Sequence, residues 1–342
     1  MCPCSYREYD HPGTGWHVVQ LEYHSEDGVK QSALSFSPDQ GCNLFRLQVD
    51  GRDYLYGSQE SQGEQILLGT PVLYPTPNRV RDATFTFDGH TYIFEPNDGP
   101  NFIHGLVRNV PWTYEEPVTA KESVSASARI SFQPDKEIYQ LFPIRNRLEL
   151  TYTLKPSGVR ADFTVRNESK DKRLPFGLAI HPYFRVIGPR ESVRILSPAK
   201  KWMEAVDLLP TGRLLDLEQG PADLRTPTSL EDLDLDDVFW GLEPDHPQVI
   251  YYDDIDKKII LRASELFTHS VIYTPPGQPF FCIENQSCST DAHNLYTQGK
   301  KFDTLGVDHD GITQSIKKAA HLTILEPGES LNAWIEMEVS EQ

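Results

Sequence analysis

Short runs of alternating apolar and polar residues, cut repeatedly by turn residues, constrain this chain more than any other feature. Ala33–Phe36, Leu44–Val49, Ala83–Phe87, Thr91–Phe94, Ala126–Phe132 and Leu148–Leu154 follow this pattern, as do Ala161–Val165, Val193–Leu196, Ile259–Arg262, Ser270–Tyr273 and Ala333–Val339. A period of two places successive side chains on opposite faces of extended backbone, so each run is read as a strand with one buried face. Asn97-Asp98-Gly99-Pro100, Pro156-Ser157-Gly158 and Pro327-Gly328 supply turns between them. Asp88-Gly89, between two such runs, predicts a two-residue hairpin because both residue types tolerate positive φ. Helical periodicity is almost absent, and 26 prolines oppose long helices. The expected fold is all-β, a large antiparallel β-sandwich.

No Gly/Ser linker, repeat or low-complexity tract divides the 342 residues. The reading is therefore a mobile N-terminal segment over residues 1–15 and a single domain over 16–342. Leu214–Asp237, the one strongly acidic stretch, is read as a loop-rich excursion from the sheets. Hydrophobic residues at 38% and aromatics at 11% suffice for a substantial core. A formal charge of −18 opposes nucleic acid or an anionic membrane as partner and favours a small neutral ligand. No apolar run approaches the ~20 residues of a membrane helix, and Met1–Gly13 lacks the basic and apolar regions of a signal peptide, so a soluble cytoplasmic protein is expected. Cys2, Cys4, Cys42, Cys282 and Cys288 show neither disulfide-framework nor zinc spacing and are read as reduced thiols.

Two segments end a strand pattern on an ionisable residue. In Pro175–His181, the large Phe176, Leu178 and Ile180 alternate with Gly177, Ala179 and His181, which puts His181 on a face lined by small residues with room for a ligand. Pro182 holds His181 in extended backbone. The segment alone fits equally a half-buried histidine satisfied by a carbonyl. Phe280-Phe281-Cys282-Ile283 runs into Glu284, an expensive place for a charge without partners. Burial there would raise the carboxyl pKa above ~4.3 toward the range of a general base. A solvated strand-end glutamate is the plainer alternative.

His104 lies between Gly99 and Gly105, which allow close backbone approach to a ligand. Asn78-Arg79 and Asp236-Asp237, the latter preceding Phe239-Trp240, add the polar and aromatic groups that neutral sugars require. Each of these could equally be surface decoration. Asp232, Asp234 and Asp236 have the spacing of a calcium loop but lack its glycine and distal glutamate. No phosphate loop, nucleophile elbow or His-Glu-x-x-His is present.

In identity and order, several stretches resemble the aldose 1-epimerases. They are Asn78-Arg79-Val80-Arg81, Thr86-Phe87-Asp88-Gly89, the Asn97–Gly105 segment and His181-Pro182-Tyr183-Phe184, followed by Val271–Pro276, Phe281–Glu284 with Asp291-Ala292-x-Asn294, and Leu325–Glu329. The resemblance implies a β-supersandwich with the sugar on its concave face, and an isomerase that interconverts the α and β anomers of a hexose. By matching position it implies Glu284 as general base, His181 as general acid, and His104, Arg79, Asn78, Asp236 and Tyr183 as substrate-binding residues, with no metal or organic cofactor. Glu284-Asn285 departs from the Glu-Pro or Glu-Thr of many members. The aspartate motif aligns on either acid, and Asp236 is preferred because it keeps the distance to Phe239.

Two other functions compete. A hexose-6-phosphate 1-epimerase would use Arg79, Arg81, Arg108 or Arg185 to grip the phosphate, although the overall charge repels anions. A non-catalytic carbohydrate-binding module would not require both Glu284 and His181.

Overall fold

The computed structural model describes residues 3–57, 68–304 and 312–342. Among them antiparallel strands dominate, in sheets of ten, eight and five strands and three two-stranded pairs. The larger sheet has ten strands, ordered Thr113–Tyr114, Val124–Phe132, Asn146–Lys155, Gly158–Asn167, Ser330–Glu341, Lys257–Ala263, Gln248–Tyr252, Val193–Leu196 and Thr228–Ser229, with Val118–Thr119 also on Val124–Phe132. The second has eight, running from Leu209–Leu215 through Lys201–Val206, Asp236–Trp240, His269–Tyr273 and Phe280–Gln286 to Ala179–Ile180 and Val72–Leu73. Tyr183–Arg185 also pairs with Phe280–Gln286.

The period of two becomes burial directly. Along Asn146–Lys155 every second residue is buried, and Leu148, Leu150, Tyr152 and Leu154 enter a continuous apolar core with Phe163, Phe176, Phe239 and Phe281. All eleven runs read from alternation lie in or overlap strands. The expected hairpin pairs Thr84–Phe87 with His90–Ile93, and Asp88 and Gly89 take φ of 48° and 78° at its turn. Cys4 is buried, and Cys42, Cys282 and Cys288 are buried free thiols.

Three features differ from expectation. Cys4–Asp10, read as part of a mobile segment, pairs residue for residue with His17–Tyr23 at the edge of the five-stranded sheet. Two helices, Ala292–Thr304 and Ile312–Ala320, follow the strand that carries Glu284. They meet through a small apolar contact involving Leu295, Tyr296, Ile316 and Ala320, too few residues to leave a clear helical period. No helix of the described residues is long and apolar enough to cross a membrane.

Pro175–His181 is also not one strand. Leu174–Phe176 pairs with Thr323–Leu325, whereas Ala179–Ile180 pairs with Phe280–Gln286 and Val72–Leu73. Phe176, Leu178 and Ile180 are buried as expected. The opposite face is filled at Gly177, however, where a side-chain carbon would overlap the Cys288 sulfur and stand 2.5 Å from Pro77 Cδ. The glycine makes close packing possible rather than a ligand cavity.

Gly177→Ala is expected to cost about 1–3 kcal/mol by overpacking, read as a lower urea midpoint. Adding Cys288→Ala to the same chain should recover part of the loss.

Candidate active site

Glu284 is carried by Phe280–Gln286, an inner strand. Phe281 and Ile283 turn into the core, while Cys282, Glu284 and Gln286 occupy the other face by alternation. Glu284 is 2% exposed. Next to it, His181 leaves the short strand Ala179–Ile180, donates its backbone N–H to the Pro71 carbonyl at 3.0 Å, and is 7% exposed. Its Nε2 lies 3.1 Å from Glu284 Oε1. Tyr183 stacks on the imidazole with ring centroids 4.6 Å apart and 14° between planes, fixing its orientation.

His104 meets the His181 ring edge-on at 5.1 Å. It is placed there by left-handed backbone, with φ of 71° at His104 and 68° at Gly105, and by donation from its N–H to the Asn78 carbonyl at 3.0 Å. A side chain on Gly105 would overlap the Tyr74 carbonyl. Asn78 itself is left-handed, and its Oδ1 accepts the Arg79 N–H at 2.8 Å. The Arg79 guanidinium donates from Nε to Asp98 at 2.7 Å and stands 4.0 Å from Asp236. On the strand Asp236–Trp240, Asp236 thus faces Arg79, while Asp237 points the other way and accepts from Trp202 Nε1 at 2.9 Å. All seven residues singled out in the sequence gather around one point.

Three further residues escaped the sequence reading of the site. Asp98, read only as part of a turn, aims Arg79. Gln286 donates its amide to Glu284 Oε2 at 3.1 Å. Arg108, weighed only as a phosphate ligand, is partly buried close enough to act electrostatically on His104, His181 and Tyr183. Spacing offers no signal for Gln286 beyond its position two residues after Glu284. Among the described residues, no three His, Cys, Asp or Glu side chains are arranged to hold a metal ion.

Burial dominates the electrostatics. It raises the Glu284 pKa well above the ordinary carboxylate range, with Gln286 and Arg79 opposing and Asp236 reinforcing. Burial also lowers His181 to about 4, Arg108 adding to the effect, and holds His104 well below its usual value. Nδ1 of both histidines is buried with no hydrogen-bond partner among the described residues. Both shifts favour the uncharged pair, a protonated Glu284 beside a neutral His181, and their contact puts the two groups within proton-transfer reach of each other.

The chain belongs to the aldose 1-epimerase family, whose model matches residues 30–338. It is 28% identical over 204 residues to the galactose mutarotase of Bos taurus, a match covering 56% of this chain and 57% of that protein. It is 27% identical over 135 residues to the chromosomal protein LacX of Lactococcus lactis, covering 40% and 42% respectively. The chain thus spans about half the length of these curated relatives. In fold it is similar to a galactose mutarotase-like protein from Clostridium acetobutylicum, with a TM-score of 0.81 at 19% identity and 99% of each chain covered. It is also similar to galactose 1-epimerase from Lactobacillus acidophilus, with a TM-score of 0.73 at 14% identity and 100% and 99% of the two chains covered.

The folded state holds the Glu284 proton more tightly than the unfolded chain does. Stability from this group is full below the ordinary ~4.3 and is lost as pH rises through the elevated value. His181 has the opposite slope, its contribution falling as pH drops from ~6.5 toward the lowered value. Glu284→Gln is therefore expected to raise Tm by a few degrees at pH 8 and to leave it nearly unchanged at pH 4, as measured by thermal unfolding at both pH values.

Proposed function

We propose that the protein is an aldose 1-epimerase, an isomerase that interconverts the α and β anomers of a hexose. The observation that carries this reading is the 3.1 Å contact between Glu284 and His181, two buried ionisable groups within proton-transfer reach of each other. Glu284 takes the proton from the anomeric hydroxyl while His181 gives one to the ring oxygen, and the C1–O5 bond breaks to the open aldehyde. Rotation about C1–C2 presents the other carbonyl face. Closure reverses both transfers, so neither group ends the cycle changed.

His104, Arg79, Asn78, Asp236 and Tyr183 bind and orient the sugar. Arg79 suits this role because Asp98 holds its guanidinium by Nε, leaving its other nitrogens directed toward Asn78 and Asp236. The demand on the site is modest. Mutarotation already proceeds in water and needs only a placed acid, a placed base and an oriented ring. Residues 16–342 form the catalytic unit in this reading, and the partner is a small sugar.

A second reading, in which the aldose carries an anionic group such as a phosphate, is favoured by Arg108. No hydrogen bond or ion pair engages its guanidinium among the described residues, and it lies beside the histidines and Tyr183. Comparing rates on glucose and glucose 6-phosphate decides between them. A preference for the phosphate that disappears in Arg108→Leu supports the second reading, and equal rates remove it.

The primary test is polarimetry of freshly dissolved α-D-glucose and α-D-galactose. The wild-type protein is expected to accelerate the decay, and Glu284→Gln to lose roughly 10²-fold or more. The acidic limb of kcat/KM should lie above the ~4.3 of a free glutamate. Sugar binding without any acceleration would leave a carbohydrate-binding module instead.

A further inference from the structure

The base has a second partner that the anomer-exchange chemistry does not itself require. Gln286 lies two residues beyond Glu284 on the same face of an inner strand, with Ala179 opposite it on one side and His269 on the other. It is 0% exposed. Its Nε2 donates to Glu284 Oε2 at 3.1 Å, while Glu284 Oε1 meets His181 Nε2 at the same distance. Each carboxylate oxygen is thereby held from a different part of the chain. A terminal carboxyl group turns easily about its last bond, and these two contacts fix its plane.

The amide's own Oε1 is buried with no partner among the described residues. A buried acceptor left without a donor costs free energy. Turning the amide over would set its oxygen against an ionised Glu284 oxygen, so the present orientation keeps an unfilled acceptor in exchange for a donor to the carboxylate. We propose that Gln286 is a positioning residue for the base: its amide holds Oε2 and stabilises the ionised form, leaving Oε1 for His181 and the sugar. The inference rests on the acid–base reading above.

Every other group facing Glu284 is in place whatever occupies position 286. Cys282 adjoins it on its own strand, Tyr183 and His181 approach from the segment beyond Ala179–Ile180, Asp236 from Asp236–Trp240, and Arg79 from Arg79–Val80. His269, beside Gln286, is engaged elsewhere through the Ala319 carbonyl and Thr268. Removing the amide therefore subtracts one donor from a carboxylate that burial already opposes.

The test compares pH profiles of mutarotation for the wild type, Gln286→Leu and Gln286→Glu. In Gln286→Leu the acidic limb of kcat/KM should move up by about one pH unit. The rate should fall about tenfold on the acidic limb and recover on the plateau above it, with KM unchanged. Gln286→Glu, which preserves volume and serves also if the leucine variant fails to fold, should move the limb further up because a second carboxyl group then shares the site. A loss of the same factor at every pH, or an unchanged profile, overturns the proposal. Infrared titration of the Glu284 carboxyl, identified by its disappearance in Glu284→Gln, provides a readout independent of turnover. Should the wild type fail to accelerate mutarotation, the functional reading falls, while a shifted or unshifted titration in Gln286→Leu still decides whether the amide controls this proton.

Discussion

A carboxyl group removed from water is the constraint to which the rest of the site answers. Leaving Glu284 ionised inside a sheet would be prohibitive without compensation. Compensation comes from four directions: the His181 imidazole, the Gln286 amide, the more distant Arg79 guanidinium, and the proton that the group itself retains at raised pKa. The same burial that makes the group costly makes it chemically useful. A solvated glutamate would be too weak a base near neutrality, and a solvated histidine would lack a fixed geometry.

Strand register turns this local arrangement into a site. Phe280–Gln286 pairs with His269–Tyr273 along one side, Val271 opposite Glu284, and on the other side with Ala179 at Gln286 and with Tyr183 at Cys282, so the break between those two short strands, which carries His181, falls at Glu284. A slip of one residue would send Glu284 into the core and bring Ile283 into its place. Asp236 is fixed by the same logic, two strands away, with Asp237 on the reverse face against Trp202. Arg79 arrives instead on the short strand Arg79–Val80, paired with Phe102–Ile103, and Asn78 and His104 sit on left-handed backbone at its flanks.

The strands were legible because one buried face imposes a period of two, as along Asn146–Lys155. Glu284 stood out for a different reason, a charge directly after the unbroken apolar run Phe280-Phe281-Cys282-Ile283. The helix Ala292–Thr304 was illegible because it contributes few large apolar residues to its contacts, and its stability comes from the neighbouring helix and sheet. Gly177 misled because a small residue on a strand face signals either an open cavity or close packing, and only the positions of Cys288 and Pro77 distinguish them. Gln286 and Asp98 could not be read at all, since their roles depend on which atom of a neighbour they touch. Choosing Asp236 over Asp237 required only the parity of the strand, but parity is known only once one residue's facing is known.

The position of Ser330–Glu341 bears on how such a molecule comes into being. This strand lies inside the ten-stranded sheet, joining Gly158–Asn167 to Lys257–Ala263. Two halves of the sheet, both made earlier on the ribosome, therefore wait for this strand before they share hydrogen bonds. Until it emerges, each half presents an unpaired edge, the kind of surface that invites association with another chain. Contacts so distant in sequence also make the final step slow compared with forming local hairpins such as that at Asp88-Gly89. Closure of the ten-stranded sheet is thus coupled to a strand that follows both of its halves in the sequence, and those halves must remain soluble until it is made.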